Sequence, residues 1–170
     1  LREDQNVWVY YFDPTGKPIE IRADLTSALA QSSAFPIIFD QPIVLDDVEI
    51  VQPRIKRGDV LIALLHWHAS GEMDRNYTVF VHLVDAQGNL IAGYDDQPRK
   101  GTAPTSRWTR YAPVVDPIIM PIPTDAPLGD AYRLQIGLYY LPTMQRLTIV
   151  DAQGQPLGDA LTLQPLSVIE

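Results

Sequence analysis

The 170-residue chain contains no cysteine, which excludes disulfide bonds, thiolate metal sites and a cysteine nucleophile. Basic residues are scarce as well, because 13 lysines and arginines stand against 21 aspartates and glutamates, for a formal net charge of −8. Proteins that bind nucleic acid normally present a basic face to the phosphates, so this charge argues against a nucleic-acid partner. No run approaches the roughly 18 apolar residues of a membrane-spanning helix, and no basic-then-apolar leader opens the chain.

Motifs for the common nucleophiles and cofactors are also missing. The sequence has no G-x-S-x-G elbow, no phosphate-binding P-loop and no H-E-x-x-H pair, which would activate a serine, cradle a phosphate and hold zinc, respectively. Adjacent acids such as Asp46-Asp47 point to opposite sides of an extended strand, whereas a glycosidase needs two carboxylates that face one sugar. We therefore expect a domain that is not an enzyme.

What the chain does contain is a series of short apolar runs separated by 15 prolines and 10 glycines, a spacing typical of all-β domains. The run 43–51 is either one strand or two strands broken at Asp46-Asp47, and 114–122 belongs on a sheet edge because its two prolines cannot donate to a neighbour. The predicted strands are 7–12, 19–22, 43–51, 60–68, 77–84, 89–94, 114–122, 131–140, 146–150 and 161–168.

A repeated turn indicates how these strands pair. Val-Asp-Ala-Gln-Gly occurs at 84–88 and again at 150–154, and residues 12–16 have the same form. Aspartate can accept hydrogen bonds from the amides of its own turn, and glycine supplies the positive φ that closes a hairpin. Three hairpins imply antiparallel sheets. The sequence therefore predicts an all-β fold, a two-sheet antiparallel β-sandwich.

The first 35 residues differ from the rest of the chain. Residues 1–35 are predicted to form an N-terminal hairpin and a connecting segment packed on the main domain, and residues 36–170 the sandwich itself. Within the connecting segment, 23–34 is either a short helix capped by Asp24 or a surface loop.

Residues 36–168 carry a family resemblance. The elements that carry it, as they stand here, are Gly58-Asp59, Trp67, Tyr77, Phe80-Val81-His82-Leu83, Asp95, Pro98, Trp108, Pro127-Leu128-Gly129 and Arg146-Leu147. In order and spacing they are similar to a β-sandwich domain at the extracytoplasmic C-terminus of bacterial multi-span membrane glycosyltransferases, which resemble dolichyl-phosphate-mannose protein mannosyltransferases. The resemblance implies a sandwich of the jelly-roll or immunoglobulin-like kind, an extracytoplasmic location and a membrane domain of the parent protein as partner. It implies no catalytic residues, because sugar transfer would belong to the membrane part. Since the chain begins at Leu1 and not Met, we expect a piece of a longer protein, tethered through a membrane region outside this sequence.

The loop that follows the 89–94 strand is the strongest candidate for a binding site. Aromatic rings stack on the apolar faces of sugars, and arginine forks match the oxygens of phosphate or carboxylate groups. The alternative is that Trp108 closes the end of the core while the arginines pair with nearby acids. The predicted ligand-binding residues are Trp108, Tyr111, Arg107, Arg110, Arg99 and Tyr94.

Two metal sites are conceivable from the sequence, although no cofactor is required. Asp95 and Asp96 are hard oxygen ligands on a loop, as calcium prefers, although turn formation is the simpler role for them. His66 and His68 share one face of a strand, and His82 joins that face if 60–68 and 77–84 pair as a hairpin that sets His82 opposite Leu64. Three imidazoles on one face would suit zinc, but the apolar neighbours on that face favour ordinary core histidines.

The function predicted from the sequence is that of a non-catalytic extracytoplasmic module that binds or positions a glycan, a sugar-phosphate lipid or its parent enzyme. A carbohydrate-active hydrolase and a purely structural protein-interaction domain are the alternatives.

Overall fold

The structure, a computed structural model, describes the backbone of residues 6–12, 18–24 and 35–170. The strands, numbered along the chain, are β1 (Asn6–Phe12), β2 (Pro18–Asp24), β3 (Ile37–Phe39), β4 (Ile43–Ile50), β5 (Arg54–Lys56), β6 (Val60–Ala69), β7 (Thr78–Val84), β8 (Leu90–Asp96), β9 (Val114–Pro121), β10 (Gly129–Tyr140), β11 (Gln145–Arg146), β12 (Ile149–Val150), β13 (Pro156–Gly158) and β14 (Leu161–Ile169). Among these residues no helix is long and apolar enough to cross a bilayer.

Two six-stranded sheets form the body of the protein. The first sheet has the order β13-β12-β3-β4-β6-β9, and the second has the order β5-β14-β10-β7-β8 with β11 also paired to β10. All of their pairs are antiparallel except β5 with β14, which run parallel. The predicted all-β sandwich is therefore confirmed, with one parallel pair at an edge.

The N-terminal strands pair separately. β1 and β2 run antiparallel from Asn6↔Asp24 to Phe12↔Pro18, which confirms the predicted strands 7–12 and 19–22. The predicted turn at 13–16 and residues 25–34 of the predicted helix or loop lie outside the described residues. The packing of this hairpin on the main domain stays a prediction.

The pairing of 60–68 with 77–84, which would place the three histidines on one face, does not form. β6 pairs with β4 and β9 in the first sheet, whereas β7 pairs with β10 and β8 in the second. The connection 70–77 is long enough to cross the roughly 10 Å between packed sheets, so consecutive apolar strands face each other across the core and do not lie side by side. His82 therefore lies beside Gln135 and Gly93, and not opposite Leu64.

The strand register resolves one alternative that the sequence leaves open, and the strand order confirms one prediction. β4 is one strand, and its pairing with β6 shifts between Leu45 and Asp47, so Asp46 forms a β-bulge and not a break. β9, which contains Pro117 and Pro121, lies at the edge of the first sheet as predicted.

The repeated turns form as the sequence predicts. Asp85 Oδ1 accepts hydrogen bonds from the amides of Gln87 and Asn89 at 2.9 and 2.8 Å. In the same way, Asp151 Oδ1 accepts hydrogen bonds from the amides two and four residues further along the chain, at 2.9 and 2.8 Å. Gly88 closes the first of these turns with a φ of +88°. They join β7 to β8 and β12 to β13; residues 13–16 of the third copy lie outside the described residues.

Alternation along the strands fills the space between the sheets. Trp67 of β6 is fully buried there, with its ring centroid 6.1 Å from that of Phe39 and 6.0 Å from that of Trp108. Phe80 is also buried, but on the outer face of the second sheet, since its neighbours Val79 and Val81 point into the core.

Glycine makes the burial of Phe80 feasible. A Cβ added to Gly137, its partner on β10, would lie 2.5 Å from the Phe80 ring. The other side of that ring is covered by the Arg146 guanidinium, 4.3 Å from its centroid. The outer face of the second sheet is therefore a packed aromatic layer at this point.

Candidate functional site

Four connections meet at one end of the sandwich, which we call the loop end: 40–42, 70–77, 97–113 and 141–144. In the first sheet, Ile43 at the start of β4 pairs with Ala69 at the end of β6. In the second, Thr78 at the start of β7 pairs with Tyr139 near the end of β10. Loops on a rigid sandwich are where binding residues tend to lie.

A buried threonine joins two of these loops. Thr105 lies in a 3-10 helix, Thr105–Arg107, and is fully buried. Its Oγ1 accepts the Tyr77 amide at 3.0 Å and donates to the Arg75 carbonyl at 2.9 Å. The Ser106 amide also donates to the side chain of Asn76, at 3.2 Å. The long loop 97–113 is thus fixed to the 70–77 loop by side-chain hydrogen bonds.

Trp108 anchors the long loop in the core. It is 5% exposed, and its indole packs against Trp67 while Nε1 donates to the Ala103 carbonyl at 2.8 Å. The structure places this residue as the alternative interpretation describes, closing the end of the core. A flat stacking platform for a ligand is not available on a ring that is covered in this way.

Beside Trp108 the two loops enclose an open cleft of about 580 Å³. Tyr111 stands at its rim and is 93% exposed. Arg110 has no ion-pair partner among the residues the structure describes. The residues that line the cleft are Gly71, Glu72, Trp108, Thr109, Arg110 and Tyr111.

The structure thus brings together three of the six predicted ligand-binding residues: Trp108, Arg110 and Tyr111. Arg99 and Arg107 are exposed on the same loop but outside the cleft. Tyr94 is separate, because its hydroxyl is buried and points into the interior of the protein. Gly71 and Glu72 are cleft residues that sequence reasoning missed, since nothing in the sequence indicates that 70–77 lies against 97–113.

A buried aspartate lies under the start of the long loop. Asp116 of β9 is fully buried, and its Oδ1 accepts the Arg99 amide at 2.7 Å. Its Oδ2 and the Tyr94 hydroxyl have no hydrogen-bond partner within the described part of the chain. Burial raises the pKa of Asp116 to about 6. Burial and the charges of Asp116 and Asp96 also raise the pKa of Tyr94.

The predicted calcium ligands do not face one space. Asp95 and Asp96 are neighbours on a strand and therefore point to opposite faces. Asp95 Oδ2 lies 2.9 Å from Nε2 of His82, whereas Asp96 Oδ1 accepts the Gln97 amide at 2.7 Å. Among the side chains that the structure describes, those of 35–163 and 166–170, no group of three or more His, Asp or Glu is arranged to hold a metal ion.

The three histidines also do not meet. His66 Nε2 lies 2.6 Å from Glu49, and His68 Nδ1 lies 2.7 Å from Asp46, both on the first sheet. His82 belongs to the second sheet and contacts Asp95. The zinc hypothesis fails because it depended on the incorrect β6–β7 pairing; each imidazole instead has a carboxylate neighbour.

Comparison of the sequence with protein-family models and with curated proteins gives no match.

Proposed function

We propose that this chain is a non-catalytic module that binds a glycan, or the sugar of a sugar-phosphate lipid, in the cleft at its loop end. The observation that carries the proposal is the exposed Tyr111 ring next to Arg110 in a cleft whose walls are fixed by Trp108 and Thr105. The resemblance adds the setting: an extracytoplasmic domain tethered to the membrane part of a glycosyltransferase-like protein.

The cleft offers the groups that a sugar needs. An exposed tyrosine ring can stack on the apolar face of a pyranose while its hydroxyl stays in water. Arg110 and Glu72 supply donors and acceptors for hydroxyl groups, and the guanidinium would also pair with an acidic sugar or a phosphate. The volume of about 580 Å³ falls in the ordinary range of small-ligand sites.

The rigidity of the loop favours binding as well. Ordering a flexible loop around a ligand reduces affinity, and a loop that is already ordered avoids that loss. The side chains of Thr105 and Asn76 hold 97–113 against 70–77 through hydrogen bonds within the protein. The Tyr111 ring is thus presented from a fixed backbone.

The hydrolase alternative lacks a second carboxylate in the cleft. Glycoside hydrolysis needs two carboxyl groups about 5–10 Å apart, and Glu72 is the one carboxylate among the lining residues. Asp116 has a raised pKa, as a catalytic acid often does, but it is fully buried and bonded to the Arg99 amide.

A glycan array followed by calorimetry on the best ligands tests the proposal. Tyr111→Ala removes the stacking ring, and we expect it to weaken binding roughly three- to tenfold. Arg110→Gln should weaken binding of acidic sugars more than that of neutral ones. Arg54→Gln is the matched control, because Arg54 is exposed and lies outside the cleft.

Two results would contradict the proposal. One is the absence of any bound glycan, which would favour a purely structural interaction domain. The other is glycan binding that Tyr111→Ala and Arg110→Gln leave unchanged, which would place the ligand elsewhere on the molecule.

A further inference from the structure

The loop end carries exposed apolar side chains outside the cleft. The turn 141–144 joins β10 to β11, and in it Leu141 is 55% and Met144 64% exposed. The turn is ordered by a hydrogen bond from the Thr143 amide to the Tyr140 carbonyl at 3.1 Å. The Arg75 guanidinium lies 5.1 Å from the Tyr140 ring centroid, so the turn adjoins the 70–77 loop.

The four connections of the loop end contain five basic residues and three acidic ones, Asp40, Glu72 and Asp74, so the net charge of this end is opposite in sign to that of the whole chain. Loop 97–113 contains four basic residues, Arg99, Lys100, Arg107 and Arg110, and no acidic one, in a chain of net charge −8. The side chains of Arg99, Arg107 and Arg110 are exposed, and none forms an ion pair with another described residue. An anionic surface would attract this loop and repel most of the rest of the chain, which fixes the direction of approach.

Basic residues next to exposed apolar tips are the combination that an anionic bilayer interface accepts. Arginine pairs with lipid phosphates, while leucine, methionine and tyrosine side chains enter the boundary between headgroups and acyl chains. We infer that the loop end docks on an anionic phospholipid surface through the 141–144 turn, Tyr111 and the exposed arginines of 97–113. A protein groove would suit the apolar tips, but it offers no equally general reason for the excess of exposed arginines.

This inference goes beyond glycan binding and does not depend on it. Leu141, Met144, Arg99 and Arg107 lie outside the cleft. Variants at these positions therefore separate membrane docking from sugar recognition.

Flotation of the 170-residue chain with two kinds of vesicle tests the inference. One is pure phosphatidylcholine, and the other contains 30 mol% phosphatidylglycerol. We expect at least tenfold stronger binding to the anionic vesicles, with a steep decline as salt rises, because exposed charges are screened. Leu141→Ser with Met144→Ser, and separately Arg99→Gln with Arg107→Gln, should each reduce binding about five- to tenfold.

Matched controls come from positions away from the loop end. Leu128, 50% exposed, lies in the connection between β9 and β10 at the opposite end of the sandwich, and Arg54 is an exposed arginine of β5. Leu128→Ser and Arg54→Gln should bind vesicles as the unaltered chain does. Glycan binding by the Leu141→Ser, Met144→Ser variant should also be unchanged if the cleft acts independently.

The absence of cysteine permits a direct measurement of insertion. A polarity-sensitive fluorophore attached to Met144→Cys should brighten on anionic vesicles, whereas the same probe on Leu128→Cys should not. The inference is overturned if the chain binds neither vesicle, binds both equally, or shows the same brightening from both labelled positions.

Discussion

The buried carboxyl group of Asp116 should make the protein less stable at neutral pH than at mildly acidic pH, and Asp116→Asn should remove that effect. Asparagine keeps an oxygen that can accept the Arg99 amide, as Asp116 Oδ1 does at 2.7 Å. It also places a neutral NH2 group where Oδ2 now lies without a partner among the described residues. The change therefore removes a buried charge with little change of shape.

The magnitude follows from the pKa. Burial, opposed by the Arg99 amide, raises the pKa of Asp116 from 3.8 to about 6. Each pKa unit corresponds to about 1.4 kcal/mol, so ionisation in the folded state costs about 3 kcal/mol relative to ionisation in the unfolded chain.

The sign of the pH effect is fixed by the same values. Because the folded state holds this proton more tightly, its contribution to stability is fully present below about pH 4. This contribution is lost as the pH rises to about 6. Above that pH, Asp116 causes no further change in the free energy of unfolding. Asp116→Asn has no proton to lose at this position, so its advantage over the unaltered protein should grow over this interval.

Urea unfolding between pH 4 and pH 8, followed by tryptophan fluorescence, measures this difference. At pH 8 we expect Asp116→Asn to be more stable by up to about 3 kcal/mol, or about 6–12 °C in melting temperature for a chain of this length. At pH 4 the two proteins should differ by less than about 1 kcal/mol. Asp125→Asn, at an exposed aspartate, is the control. The reasoning is refuted if Asp116→Asn is no more stable at pH 8, or if its advantage does not change with pH.

Three further substitutions test the packing around the loop end and the sheet. Trp108→Ala should lower the free energy of unfolding by about 3–5 kcal/mol, because it opens a cavity at the end of the core; a loss below about 1 kcal/mol in urea titration would show that the indole is not a plug. Gly137→Ala should cost about 1–3 kcal/mol, since its Cβ would lie 2.5 Å from the Phe80 ring, and the loss should shrink in a Phe80→Leu background if that contact is the cause. Thr105→Val leaves the Tyr77 amide without its acceptor, which should cost about 1–3 kcal/mol and speed hydrogen exchange at that amide, while amides in the middle of β7 keep their rates.

The strands were predictable because their signals are local. Alternating apolar residues mark β10 and a nearly continuous apolar run marks β7. The Asp-Ala-Gln-Gly turn places the hairpin that follows Val84 within a residue of where it forms. Asp116 had a local signal too, since it shares the inward face of β9 with Ile118 and Met120. An acidic residue at a core position in a strand pattern indicates a buried charge, and sequence reasoning overlooked it.

Sheet membership was not predictable in the same way. β6 is apolar over nearly its whole length, so its pattern shows that both faces are buried but not which strands flank it. The hairpin between 60–68 and 77–84 was a reasonable default, because sequential strands are often neighbours. The choice between crossing and turning back depends on contacts such as Thr105 with Tyr77, which join residues 28 positions apart.

The candidate site was predictable as a segment but not as a surface. The lack of periodicity in 95–111 predicts the loop, and three of its predicted residues line the cleft, although Asp95 and Asp96 belong to β8. Which aromatic ring is buried and which is exposed could not be read from the sequence, because Trp108 and Tyr111 lie three residues apart in a loop without periodicity. The structure separates them: Trp108 packs on Trp67, and Tyr111 is left at the rim.

Because Trp108 is buried in the core and Tyr111 is exposed, we expect recognition at the loop end and not on the sheets. On the outer face of the second sheet, Phe80 fills the space over Gly137 and is covered by Arg146, while His82 is occupied by Asp95. These polar and aromatic groups already have partners within the fold, so a ligand would have to displace an existing contact in order to gain one. At the loop end the buried side chains of Trp108 and Thr105 make the contacts that anchor the long loop. Exposed residues of the same loop can therefore bind a partner without loss of a folding interaction.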